Sequence, residues 1–395
     1  MKMIYLDNVA GTKPDQRVVE KMLPFYTEHY GNPSAHFYPV GREAFEAMEA
    51  ARGEVASFIN AKAEEIVFTS CGTESNNLAI KGFLKNPKNT GKHIIISEIE
   101  HFSVDSAVTK LINDGYEITK LRVDNTGLVN PDDLKKALRK DTVLVSIQHT
   151  NPEIGTIQYT DALGAICLEN NVAFHVDAVA AAGFSELDVK SLNCDMLSIA
   201  SQNFYGPKGA GALYIRDGIK LSGLLDGGHQ ERGYRSGTEN VPAIVGMGEA
   251  ARIAKAEMGV WVPELVSLQK KLWDGLGGMF DFLHFTGNKD RRRPGHVSFW
   301  IEYIEGESLL MWLSLKGFAC ASGSACSSNI LAEDEEDLAA SYVLTAVGVP
   351  NDICAGSLGM SMSKYNTQDD IENVLKVMPE TVQRLCEMSP MYNRK

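Results

Sequence analysis

Short runs of β-branched and apolar residues alternate with longer amphipathic stretches through the first 250 residues, and this alternation constrains the fold more than any other feature. EIVFTS (65–70), HIIIS (93–97), TVLVSI (142–147), VAFHVD (172–177) and DMLSIA (195–200) have strand length and are bounded by polar or glycine signals. Helical spacing fills the gaps, as in residues 43–59 and 161–169. Strands alternating with helices predict a doubly wound, mainly parallel sheet covered on both faces. Ligands of such sheets sit beyond the carboxyl ends of the strands, where the next loop begins.

After about residue 255 the pattern changes. Helical residues 263–276 lead into GHVSFWI (295–301), a helix near 307–316 and a last amphipathic helix from Asp369. This predicts two domains in the 395 residues: a large one over 15–254, and a small α+β one from 255–395 with the N-terminal arm 1–14 packed on it. A formal net charge of −13 argues against nucleic acid or an anionic membrane as partner. No apolar run has transmembrane length, and the start has no signal-peptide pattern. Seven scattered cysteines without a C-x-x-C fit reduced thiols and a cytoplasmic setting, and no metal site is expected.

Several predicted strand ends carry polar residues that a bare core does not need. CGTESNN (71–77) is a small turn entering a helix, and Gly72, Thr73 and the helix N-terminus could cradle a phosphate; any ordinary helix start would look alike. HVDA (175–178) places Asp177 at the end of a buried strand, where it needs a cationic or N–H partner; a ligand's ring nitrogen or the cap of the next turn would serve equally.

From YLDN (5–8) through GNPSAH (31–36), TSCGTESNN (69–77), SEIEHFSV (97–104), HTNPEIG (149–155), HVDA, YGPKG (205–209) and RSGTEN (235–240) to SGSACSS (322–328), the chain resembles the NifS/IscS-type cysteine desulfurases. These are pyridoxal-phosphate (PLP) enzymes of the class V aminotransferase superfamily. The motifs keep the family's order and nearly its spacing. The resemblance implies fold type I, a homodimer and a sulfur acceptor or scaffold protein as partner, in the setting of iron–sulfur cluster assembly. It also implies roles: Asp177 opposite the pyridine nitrogen, His101 stacked on the ring, and Gly72 and Thr73 on the phosphate. Thr238 would reach the phosphate from the other subunit, and Cys326 would carry the persulfide.

The chain departs from that pattern where the cofactor chemistry is concentrated. The family's Ser-Gly-His-Lys, whose lysine forms the imine, is Ala200-Ser201-Gln202-Asn203 here. An amide is not a usable amine, so Asn203 can neither form an imine nor shuttle a proton. The family's two supports of the cofactor hydroxyl, an Asn and a Gln, fall on Pro152 and Ala180, and its carboxylate-binding Arg falls at about Gly359. Lys208 has a counterpart in the family that is not the imine former. The segment after Cys326 is longer than usual and acidic, AEDEEDL (332–338), which reads either as a solvated loop or as a dock for a basic partner. The expected function is sulfur transfer through a persulfide on Cys326 beside a degenerate PLP site, with no covalently bound PLP. An impaired desulfurase holding PLP non-covalently, and a non-catalytic scaffold or regulator, are the alternatives.

Overall fold

A computed structural model describes residues 3–322, 341–350 and 357–392. Its strands are β1 (Ile4–Tyr5), β2 (Ile66–Thr69), β3 (His93–Ser97), β4 (Glu117–Leu121), β5 (Thr142–Gln148), β6 (Ala173–Asp177), β7 (Met196–Ala200), β8 (Gly211–Ile215), β9 (Leu283–Phe285), β10 (His296–Ile301), β11 (Phe318–Ala319), β12 (Ala321–Ser322) and β13 (Ser357–Ser361). The helices that matter below are α1 (Pro39–Phe58), α2 (Gly72–Asn77), α3 (Phe102–Leu111), α4 (Thr160–Glu169), α5 (Val241–Gly277), α6 (Gly306–Leu315) and α7 (Gln368–Met388).

Seven strands form the main sheet in the order β2-β8-β7-β6-β5-β3-β4. The pairs β3–β4, β3–β5, β5–β6 and β6–β7 are parallel, while β8 runs antiparallel to both neighbours. The strands from β2 to β3 are buried along their whole length, save one partly covered residue at the start of β6, which is why they read as continuous apolar runs. Strand β4, at the edge, is mostly exposed or partly covered and carries charged residues, so its signal in the sequence is weak.

The sheet order reverses between β3 and β5, and the carboxyl ends of β3, β5 and β6 open onto one cleft. A second sheet, β12-β13-β10-β9, closes the other side of that cleft. The N-terminal arm belongs to this side: β1 pairs with β11, and Asp7 bridges to Ser361. Helix α5 runs unbroken from Val241 to Gly277, across the boundary expected at residues 254 and 255, and buries side chains along its whole length. Among the described residues, no helix is long and apolar enough to cross a membrane.

Candidate active site

The cleft is a cavity of about 610 Å³. The turns after β3, β5, β6 and β7 supply one wall, through His101, Pro152, Asp177 and Asn203; β10, β12 and β13 supply the other, through His296, Ser322 and Gly359.

Asp177 ends β6 and is buried. Its Oδ1 accepts from the Val179 N–H at 3.0 Å, and its Oδ2 accepts from Asn76 Nδ2 at 2.7 Å, so the turn cap and a side-chain donor both hold it. The other hydrogen of Asn76 Nδ2 goes to Ser103 Oγ at 2.8 Å. That leaves the Ser103 hydroxyl to donate to His101 Nδ1 at 2.7 Å, and the Ser103 backbone N–H reaches the same nitrogen at 3.1 Å. His101 Nδ1 is therefore an acceptor, and the ring proton sits on Nε2. Asp177, Asn76, Ser103 and His101 thus form one directed chain. Asn76 and Ser103 are the members that the sequence reading did not single out.

Gly72 opens α2 at the cavity wall, where a Cβ would come within 2.6 Å of Val179 Cγ2. Glycine lets the turn after β2 lie close against the turn after β6. Thr73, next to it, is exposed and also lines the cavity. Cys71 lines it as well, at the N-cap of α2, and accepts from Ser70 Oγ at 3.6 Å. Cys320 is buried, and burial, with the Asp7 carboxylate nearby, pushes its thiol far up.

Asn203 lies at the end of the short turn after β7 and is buried. Its Nδ2 donates to the Val9 carbonyl at 3.0 Å, so the amide ties the N-terminal arm to the cavity floor. The arm is laced on further by Thr12, whose N–H and hydroxyl both donate to the Gln202 carbonyl. Among the described residues lining the cavity there is no lysine and no arginine. Pro152 and Ala180 line it without a side-chain donor, and Gly359 lines it without a side chain.

Carboxyl groups dominate instead. Glu153 is partly buried in the cavity wall, and its pKa is pushed up to about 8 by desolvation; the hydroxyl of Ser341, which donates to its Oε1 at 2.6 Å, only partly opposes this. Glu100, just behind the wall, is also raised to about 8 by burial although the Gln148 N–H and the Ser97 hydroxyl donate to it. Burial raises Asp7 to about 6. His296 is held well below the ordinary imidazole range by burial and by the neighbouring guanidiniums of Arg292 and Arg293. The sequence reading missed Glu100 and Glu153, although both lie inside quoted motifs. A carboxylate's burial depends on what folds over it, here β10 and the residues from Ser341 onward.

Thr238 is not at this cavity. It lines a separate recess with Phe68, Arg235 and Glu239, and Arg235 Nε donates to Glu74 Oε1 at 2.9 Å. Cys326 and the acidic residues 333–337 lie outside the described residues, as does Cys354; the flanking Ser322 and Ser341 both line the cavity.

The aminotransferase class-V family model matches residues 4–374. Cysteine desulfurase IscS of Methanosarcina thermophila is 47% identical, over 99% of this chain and 94% of its own length. Cysteine desulfurase IscS 1 of Archaeoglobus fulgidus is 43% identical, over 99% of this chain and 100% of its own. Among solved structures, a NifS-like protein superposes with a TM-score of 0.89 at 35% identity, covering 97% of this chain and 100% of that one. The family depends on PLP, and the fold is the one its fold type I members share. Over nearly its whole length, the chain belongs to the class V aminotransferase family, among the homologues of the IscS/NifS cysteine desulfurases.

Proposed function

We propose that this desulfurase homologue transfers sulfur through a persulfide on Cys326 and does not hold PLP as an imine. The observation that carries this reading is the cavity lining: no described lining residue offers an amine, and Asn203 is committed to the Val9 carbonyl. The reaction it proposes needs no cofactor. The Cys326 thiolate attacks the terminal sulfur of a persulfide R–S–SH, the S–S bond breaks, and R–S⁻ leaves with the bonding pair. Cys326–S–SH forms with no net oxidation or reduction. Ser322 and Ser341, which flank the segment carrying Cys326, line the cavity, and this supports delivery between cavity and acceptor.

A second reading rests on the intact chain Asp177–Asn76–Ser103–His101 and the close turn at Gly72, which would suit PLP held without a covalent bond. One experiment tests the first reading against PLP held as an imine and against an inert scaffold. The purified protein is treated with PLP, L-cysteine and borohydride, and in parallel with a low-molecular-weight persulfide, then mapped by mass spectrometry. The expected result is no reducible PLP on any lysine, sulfane sulfur on Cys326 and none in Cys326→Ser. PLP fixed to a lysine would overturn the first half. An unreactive Cys326 would overturn the second and leave a scaffold.

A further inference from the structure

The cavity lacks a counter-charge for its own acids. Its described lining carries the carboxyls of Asp7, Glu153 and Asp177 and no lysine or arginine. Asp177 is held by Asn76 and the Val179 N–H. Asp7 and Glu153 have less: a backbone N–H at Ala10 for the first and the Ser341 hydroxyl for the second, with no cationic side chain against either. Desolvated carboxyls without a counter-charge are costly, and each of these keeps its proton to a higher pH than usual for that reason. Two arginines behind the wall do not answer them. Arg292 donates to the Asn288 and Thr286 carbonyls and to His296. Arg293, 0% exposed, lies on the Phe184 ring with its Nε on the Ala180 carbonyl, and neither arginine lines the cavity.

Gly359 shows where there is room. It lies in β13, paired with Ser298 of β10 and Ala321 of β12, and its backbone is not left-handed. A Cβ there would meet Ala321 Cβ at 3.9 Å and the Glu153 carbonyl oxygen at 4.0 Å, both ordinary contacts. Neither crowding nor backbone conformation therefore demands glycine at 359. A side chain at this position would start beside Glu153 and take up cavity space; the glycine leaves that space to a ligand.

The rest of the wall fixes the sign and the kind of that ligand. Asn76 and Gln148 line the cavity at 1% exposure each. Their amide nitrogens donate to Ser103, Asp177 and the Ile99 carbonyl, while Asn76 Oδ1 and Gln148 Oε1 have no donor among the described residues. Carbonyl dipoles left unanswered in the wall add negative potential, which favours a cation and opposes an anion. Among the described residues, no three carboxyl, histidine or cysteine groups gather as a metal site, which leaves an organic cation. Val9, Ile99, Phe102, Val179 and Val343 offer its carbon body an apolar surface.

We infer that this cavity takes a small aminothiol that carries no carboxylate, or the persulfide of one, with its ammonium against the Glu153 carboxylate in the space that Gly359 leaves open. The ammonium supplies the missing counter-charge, and Glu153 releases its proton to solvent as it pairs. An amino acid such as cysteine would bring a second carboxylate against a wall of carboxyls and unanswered carbonyls, with no described cationic donor in the lining to receive it. The inference rests on the proposed function only for the sulfur: the ligand is then the R–S–SH that delivers to Cys326, with the amine on R. The choice of amine over amino acid rests on the lining.

The test is calorimetric titration of the full chain, under anaerobic conditions and with no PLP added, with cysteamine, L-cysteine and 3-mercaptopropionate. The wild-type protein should bind cysteamine at least about tenfold more tightly than cysteine, which differs from it by one carboxylate, and should not measurably bind the acid that lacks an amine. Glu153→Gln keeps the size and removes the charge, and should bring cysteamine to within about twofold of cysteine. Gly359→Arg puts a fixed cation into the same space and should reverse the order, with 3-mercaptopropionate now bound. Gly359→Met, uncharged and also long, should not reverse it. A wild type that binds none of the three, or binds cysteine as tightly as cysteamine, would overturn the inference. So would a preference left intact in Glu153→Gln, an order unchanged in folded Gly359→Arg, or a reversal in Gly359→Met. Should Gly359→Arg not fold, Glu153→Gln decides alone. Cys326→Ser should retain the preference for cysteamine. A failure of persulfide transfer with that preference intact would thus sink the proposed function and not this assignment.

Discussion

Glu153 shows what a single desolvated carboxyl does to this fold. Its pKa in the folded protein is about 8 against an ordinary 4.5, so the folded state holds the proton more tightly than the unfolded chain. The stability this contributes is complete below about pH 4.5 and is lost as pH rises towards 8; Glu100 behaves the same way. Buried His149 and His175 act in the opposite direction. Desolvation holds them at about 4 and about 3, so they destabilise the fold only as pH falls below 6.5. Asp7, raised to about 6, has largely ionised by then. Between about 6.5 and 8, the two glutamates alone of this group set the slope, each removing about 2 kcal/mol over that window. Glu153→Gln keeps an acceptor for Ser341 and cannot ionise, so it should flatten the fall by about half and be most stabilising near pH 8. Denaturant melts at pH 6.5, 7.3 and 8 would measure this, and an unchanged slope would show that Glu153 does not titrate there. Asn203, Pro152, Ala180 and Gly359 could be read from the sequence as losses, because a motif fixes where the missing group belonged. Glu153 and Arg293 could not. A run of three arginines reads as a solvated surface, and only the packing of β10 against the turn after β6 shows otherwise.

At the scale of the element, the strands from β2 to β7, apart from β4, were legible because full burial on both sheet faces demands uninterrupted β-branched residues. Strand β8 was hidden inside a motif: GALYI follows YGPKG, and its antiparallel direction comes from a short return to the sheet, which apolar periodicity cannot reveal. The long helix α5 was seen only in part, because its first half is apolar nearly all round where it packs on α1. Helix α4 illustrates a tighter fit. Gly164 sits in its middle, where a Cβ would overlap the Leu192 carbonyl oxygen and press on the Phe174 ring. Alanine normally gains about 1 kcal/mol over glycine inside a helix. Here overpacking against backbone, typically about 1–3 kcal/mol, acts against that gain and should win, because the obstructing atom cannot rotate away. Gly164→Ala should lower the urea midpoint by an amount worth about 2 kcal/mol with an unchanged m-value. A higher midpoint would mean that Leu192 moves freely and that the helix–turn contact is loose.

The molecule as a whole leaves one requirement unmet within a single chain. In the family pattern Thr238 completes the phosphate cradle begun by Gly72 and Thr73, yet in this protomer Thr238 lines its own recess beside Phe68 and Glu239. The ion pair between Arg235 and Glu74 fixes the RSGTEN segment there, so Thr238 does not reach its own cavity by a small adjustment. If it serves a cavity, that cavity belongs to a second copy. The surface near the chain start is prepared for one: Tyr26, Tyr30 and Phe37 are 60, 72 and 76% exposed, and Tyr38 and Phe45 are exposed beside them on α1 and the turn before it. Aromatic side chains clustered at that exposure are costly on a lone protein and ordinary at an interface. A homodimer is therefore expected, with an interface above the ~2,000 Å² at which obligate dimers begin. Sedimentation velocity at micromolar protein should give a single species of twice the chain mass. The double variant Tyr30→Asp, Phe37→Asp should shift it to monomer while leaving the folded secondary structure in place, since neither side chain belongs to the core. A wild-type monomer at that concentration would refute the dimer and remove Thr238 from any cavity. A dimer untouched by the two charges would place the interface on another face.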